Sequence, residues 1–170
     1  MSKTSLVLGI VVVVVIAAVA AVFLLPSLQQ TGPTQTQTTP TETKTQTQTP
    51  GALVIRVYGG EIEATKYGFG FSEDKITSPG PDIRVKVGTE VQIIFKNVGN
   101  LPHTLAVTEE KKFDTEPVWN VQLGTPTKPV GAGEEKSITF TPNRAGEFYY
   151  VCQVPGHIEL GMWGKVIAEE

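Results

Sequence analysis

The chain has 170 residues, 40% of them hydrophobic, which is enough for one domain with a packed core. Its 14 basic and 17 acidic residues leave a formal charge of −3 and form no basic stripe, which argues against nucleic acid as a partner. One cysteine, two histidines and two methionines, one of them the initiator, exclude a disulfide framework and make every soft ligand conspicuous.

From Leu6 to Leu25 runs an uncharged apolar stretch, "LVLGIVVVVVIAAVAAVFLL". As a helix, a run of this length spans about 30 Å, the thickness of a bilayer's hydrocarbon core. Lys3 precedes it and the next charge is Glu42, so the positive-inside rule puts the N-terminus in the cytoplasm and everything after Leu25 outside. The run reads as an uncleaved transmembrane anchor over 1–25. "AVA" at Ala18–Ala20 would also serve as a signal-peptide cleavage site, and both readings export the rest of the chain.

Residues 26–50 are dominated by Thr, Gln and Pro and carry no apolar side chain after Leu28. Such a segment cannot offset its ordering entropy, so a disordered linker is expected there, about 25–30 Å end to end as a flexible coil.

Residues 51–170 read as all-β. "LVIRVYG" puts Leu53, Ile55 and Val57 on one face. "DIRVKVG" alternates Ile83, Val85 and Val87 against Arg84 and Lys86, and "EVQIIFKN" offers Val91, Ile93 and Phe95. "HTLAVTE", "KSITFTP", "GEFYYVC" and "MWGKVIAE" supply four more runs, and Gly, Pro, Asn and Asp punctuate the gaps. Short alternating strands with such turns indicate a β-sandwich or barrel. The stretch "EEKKFDTEPVWNVQLGTPTKPVGAG" reads as a long loop, with at most one helical turn in it.

Near the C-terminus stands "YYVCQVPGHIELGMWGKV". The period of two places Phe148, Tyr150 and Cys152 on one strand face, so Cys152 sits where a strand runs out. A short loop then offers His157 and Met162, while His103 arrives from another strand end after "NLP". Taken singly, each has an ordinary reading: a buried small hydrophobe, a loop histidine, a core methionine. Together, a thiolate, two imidazoles and a thioether are the donor set of a mononuclear blue copper site, with a trigonal His₂Cys plane and a weak axial Met. Thiolate and thioether favour Cu(I) and imidazole accepts both oxidation states.

The segment "CQVPGHIELGMWGKV", with its C-x4-H-x4-M spacing, resembles the copper loop of the cupredoxins, the type 1 blue copper proteins, and most of all those of the membrane-anchored rusticyanin and sulfocyanin type. "FKNVGNLPHTLAV" is similar to the upstream loop that carries the family's first histidine. "GFGFSEDKITSPGPDIRVKVGTEVQIIFKN" is similar to the start of the sheet in cupredoxins and in the copper domain of cytochrome oxidase subunit II. The resemblance implies a Greek-key β-sandwich, plastocyanin-like, of eight strands or so, carrying one copper on His103, Cys152, His157 and Met162. It implies an electron carrier rather than an enzyme, exchanging with respiratory-chain proteins such as a quinol-oxidising complex or a terminal oxidase at the outer face of the cell membrane. The binuclear site of oxidase subunit II would need a second cysteine, and a catalytic second copper would need further histidines. A Cys–His hydrolase would want its cysteine on a helix, and a structural zinc a stronger fourth ligand than Met. A copper-handling module that passes metal rather than electrons is the alternative function.

By the same resemblance Thr104 ties the two ligand loops together, and Val154 keeps a main-chain N–H that could donate to the thiolate where some relatives have Pro. His157, ringed by Ile158 and Leu160, is the expected electron port and docking face. Packing of Ile158 and Leu160 beneath the loop is the alternative.

Overall fold

The computed structural model describes residues 51–170, so the expected anchor over 1–25 and linker over 26–50 lie outside the described residues. No helix among the described residues is long and apolar enough to cross a membrane.

Nine strands form among them: β1 (Leu53–Glu63), β2 (Lys66–Gly70), β3 (Ile83–Lys86), β4 (Val91–Asn97), β5 (Leu105–Thr108), β6 (Pro117–Leu123), β7 (Glu135–Phe140), β8 (Gly146–Val151) and β9 (Trp163–Glu169). They make a four-stranded sheet in the order β2-β1-β4-β7 and a five-stranded sheet in the order β3-β9-β8-β5-β6. Distant strands lie side by side, β1 parallel to β4 and β3 parallel to β9, which are crossovers of the kind a Greek key makes.

The alternating strands behave as their patterns require. In β3, Ile83 and Val85 are buried while Arg84 and Lys86 face solvent. In β8, Phe148 and Tyr150 enter the core cluster with Cys152, and Tyr149 does not. Phe69, Val91, Ile93, Phe95, Leu105, Val107 and Val166 fill the space they share. At such positions each large apolar side chain contributes roughly 1.5–3 kcal/mol relative to exposure. In β1 the alternation fades outward: Val57 is buried, Ile55 half-buried and Leu53 exposed, because the strand starts at the edge of the core.

Two strands differ from the sequence reading. β2 is short and rich in glycine, so it shows no alternation. β6 lies inside the stretch read as a loop. Trp119 and Asn120 take left-handed backbone angles, φ 53° and 57°, and break its period. The Trp119 ring is turned back to stack on Phe140 and to meet Phe148 edge-on, with its indole N–H donating to Asn143. Packing of one aromatic ring overrides the local pattern.

The sheet wiring positions the site. β5 and β8 are antiparallel neighbours, Ala106 opposite Val151. The start of β5 and the end of β8 are therefore at the same end of the sheet. β8 is also antiparallel to β9, with Val151 opposite Trp163, so residues 152–162 are the loop joining the two.

Candidate metal centre

Cys152, just past β8, and His103, just before β5, are brought together by the β5–β8 pairing. The loop 152–162 closes on itself through its own main chain. Cys152 N–H donates to Met162 C=O (3.1 Å), Met162 N–H to His157 C=O (2.9 Å) and His157 N–H to Val154 C=O (3.1 Å). Three of the four expected donors thus belong to one hydrogen-bonded turn. The fourth, His103, is held by reciprocal main-chain bonds with Val130 (3.1 and 2.8 Å).

The side chains converge. His103 Nδ1 lies 3.1 Å from His157 Nδ1. Cys152 Sγ lies 3.4 Å from His157 Nδ1 and 4.0 Å from His103 Nδ1. Met162 is fully buried in the same core cluster, and the space for its methyl exists because residue 59 is glycine: a Cβ there would stand 2.9 Å from Met162 Cε and 2.8 Å from the Phe95 ring. His103, Cys152 and Met162 have no exposed surface, whereas His157 keeps 8%.

Burial disfavours charge on every titratable donor. It pushes the His103 imidazole down to about 4, helped by the neighbouring His157 and opposed by Glu61. It lowers His157 as well. It raises the Cys152 thiol, against main-chain hydrogen bonds from Thr104 and Val154 that favour the thiolate. The imidazoles therefore present free lone pairs at neutral pH, and the thiol keeps its proton until a metal ion displaces it to solvent.

Thr104 sits where the resemblance puts it. Its N–H approaches Cys152 Sγ at 3.3 Å, and its hydroxyl accepts the Gln153 N–H at 2.7 Å. Leu160 is half-buried against the core. Ile158 is 7% exposed, so it does not stand in an open apolar ring around His157. The turn bonds Leu160 N–H to Gly156 C=O and Gly161 N–H to Ile158 C=O curl the loop and carry Ile158 inward, as the alternative reading of that residue held. Apolar exposure beside the ligands comes instead from Leu101, 43% exposed, with Pro102 and Pro155 also open to solvent.

Three residues escaped the sequence reading. Tyr67 is buried with its ring edge-on to His157 (4.8 Å between centroids) and to His103 (5.9 Å). Asn97, fully buried at the end of β4, donates to Leu101 and Val130 carbonyls (2.8 and 2.9 Å) and accepts the Gly99 N–H (2.9 Å), which shapes the loop before His103. Glu61 lies 3.2 Å from His103 Nε2. Asn97 stands inside the quoted loop and its turn chemistry was a usable signal. Glu61 and Tyr67 come from β1 and β2 respectively, far away in sequence, and no local pattern marks them.

The donor set fits the ion it suggests: one thiolate, two imidazole Nδ1 atoms facing it and a buried thioether suit a single type 1 copper. This is a cupredoxin-type copper protein with a His-Cys-His-Met site. The chain belongs to the plastocyanin/azurin family of copper-binding proteins, whose family model matches residues 67–169. Among curated proteins it is similar to rusticyanin of Acidithiobacillus ferridurans, 33% identical over 95 residues, covering 52% of this chain and 50% of that one. It is also similar to the copper-resistant cuproprotein CopI of Rubrivivax gelatinosus, 31% identical over 91 residues, 50% of this chain and 55% of that one. The chain thus spans about half the length of these curated relatives. Among solved structures its fold matches auracyanin of Roseiflexus castenholzii with a TM-score of 0.51 at 19% identity, covering 71% of this chain and 99% of that one.

Proposed function

We propose that the protein is a one-electron carrier: a single copper in the 51–170 domain cycles between Cu(I) and Cu(II), and the chain performs no catalysis of its own. The observation that carries this reading is the hydrogen-bonded loop from Cys152 to Met162, which fixes three donors without needing the ion to gather them. A donor set held this way resists rearrangement when the charge at its centre changes by one. Both histidines of the chain are in this site, which leaves none for a second, catalytic copper. His157, with its 8% exposure, is the natural edge for electrons to cross.

The anchor and linker read from the sequence support a place at the outer face of the cell membrane, N-terminus in the cytoplasm, with the copper domain free to move between respiratory partners. A quinol-oxidising complex as donor and a terminal oxidase as acceptor are the partners this reading assigns.

A second reading is favoured by one observation, the similarity to a copper-resistance protein: the site would then hold or pass copper rather than electrons. Voltammetry of the copper-loaded full-length protein separates the two. A carrier gives an intense thiolate-to-Cu(II) band in the visible, a reversible one-electron wave and fast self-exchange, with the ion retained in both states. Release of copper to a competing chelator on reduction, without a reversible wave, would support copper handling and overturn the carrier.

A further inference from the structure

We propose that Glu61 is a positioning residue of the copper centre: its carboxylate selects the ring tautomer of His103 and supplies a fixed negative charge that favours the oxidised metal. This rests on copper occupying the site and is independent of where the electron goes.

β1 continues past its last pairing with β4, Gly59 opposite Asn97, and carries Glu61 over the loop that leads to His103. There the carboxylate has three partners. Its Oε2 accepts the Asn100 N–H at 2.9 Å, and its Oε1 accepts the Leu101 N–H at 2.8 Å and faces His103 Nε2 at 3.2 Å. The side chain is 19% exposed and the imidazole not at all. Both of its oxygens already accept a main-chain N–H, the hydrogen bonding that suits an ionised carboxylate.

An ionised carboxylate only accepts hydrogen bonds. A neutral His103 facing it must carry its proton on Nε2, which leaves Nδ1 with a free lone pair. Nδ1 is the atom that faces His157 and Cys152. The pairing thus sets both which nitrogen can bind a metal and which way the ring points. A charge so near a buried ring is poorly screened, so it stabilises Cu(II) over Cu(I).

A second feature makes the fit specific. A Cβ on residue 99 would overlap the Glu61 carboxylate, so the glycine there keeps its place open. Glycine at 99 and glutamate at 61 form one matched contact between a strand and a loop.

The simpler account is a loop clamp, with Glu61 serving only Asn100 and Leu101. Glu61→Gln separates the two, since it keeps the shape and one accepting oxygen while removing the charge. In the metal-free full-length protein, nitrogen NMR of the wild type should show His103 as the single Nε2–H tautomer. In Glu61→Gln the tautomers should mix. After copper loading, Cu(II) affinity should fall about tenfold or more, with Cu(I) affinity less affected and the reduction potential raised. Gly99→Ala keeps the charge but displaces it, and should disturb the tautomer as Glu61→Gln does. An unchanged tautomer together with an unchanged potential in Glu61→Gln, or equal losses of both copper affinities, would overturn the proposal in favour of the clamp. A wild type that binds no copper would remove the copper reading, and the metal-free NMR comparison would still decide what Glu61 does to His103.

Discussion

The main-chain N–H of Thr104 points at the Cys152 sulfur across 3.3 Å, and the Thr104 hydroxyl accepts the N–H of Gln153, the next residue, at 2.7 Å. One threonine therefore joins the two segments that carry the donors, and it does so from the first residue after His103. Thr104→Ala keeps the N–H on sulfur but leaves the buried Gln153 N–H without its acceptor. The expected cost is about 1–3 kcal/mol, read as a lower Tm in both copper-loaded and metal-free protein, with the visible band retained. Loss of the band at unchanged Tm would contradict this division of labour.

Cys152→Ala removes the chain's only thiol. The intense visible absorption should vanish while circular dichroism still reports the β-sandwich. A variant that stays blue would show that the colour has another source.

Met162 tunes the site more than it builds it, as a weak axial thioether should. Met162→Leu should retain copper and raise the potential, and Met162→Gln should lower it. Gly59→Ala tests the same donor from the other side, because the new Cβ presses on the Met162 methyl and the Phe95 ring. It should alter the spectrum although residue 59 is no ligand. Complete loss of copper in both Met162 variants would count against the axial role.

Acid should act on the metal-free protein first. His103 is held near 4 by burial and by His157, against 6.5 for an ordinary histidine, and His157 is lowered too. Between these values the unfolded chain binds more protons than the folded one, so folding stability falls as pH drops from about 6.5 toward 4 and recovers as it rises. Bound copper keeps both imidazoles deprotonated, so the loaded protein should be far less sensitive over that window. Denaturation midpoints of the two forms across the range check the sign. Parallel curves would contradict it.

The electron port can be separated from the core by two lysines. Leu101 is 43% exposed and precedes His103 by two residues, whereas Ile158 is 7% exposed. Leu101→Lys should leave the spectrum unchanged but slow electron exchange tenfold or more, about 1.4 kcal/mol at the barrier. Ile158→Lys buries a charge and should destabilise the loop and disturb the spectrum. Fast exchange in Leu101→Lys would move the port elsewhere.

How far the sequence could be read depends on the range over which each residue is determined. Cys152, His157 and Met162 lie within one loop, and His103 stands in a turn that resembles the family's, so their donor chemistry and that resemblance together pointed to the centre. The burial of Ile83 and Val85 followed from alternation. Ile158 did not follow, because the direction of a side chain in a short loop is set by turn hydrogen bonds rather than by a period. β6 was hidden by the left-handed pair Trp119–Asn120, which only the rings of Phe140 and Phe148 explain. Glu61 meets His103 through a crossover between distant strands, a relationship without any local trace in the chain.

The loop from Cys152 to Met162 is fastened by its own amides and by the Gln153 side chain, and not by its metal-binding side chains. A loop tied in this way sets the expected order of assembly. The chain can complete its fold first and receive the ion afterwards, so an empty protein waits as a finished socket rather than as an unfolded precursor. Copper supply then limits how many molecules are active, and the bound ion adds its own binding free energy to a fold that does not depend on it to form.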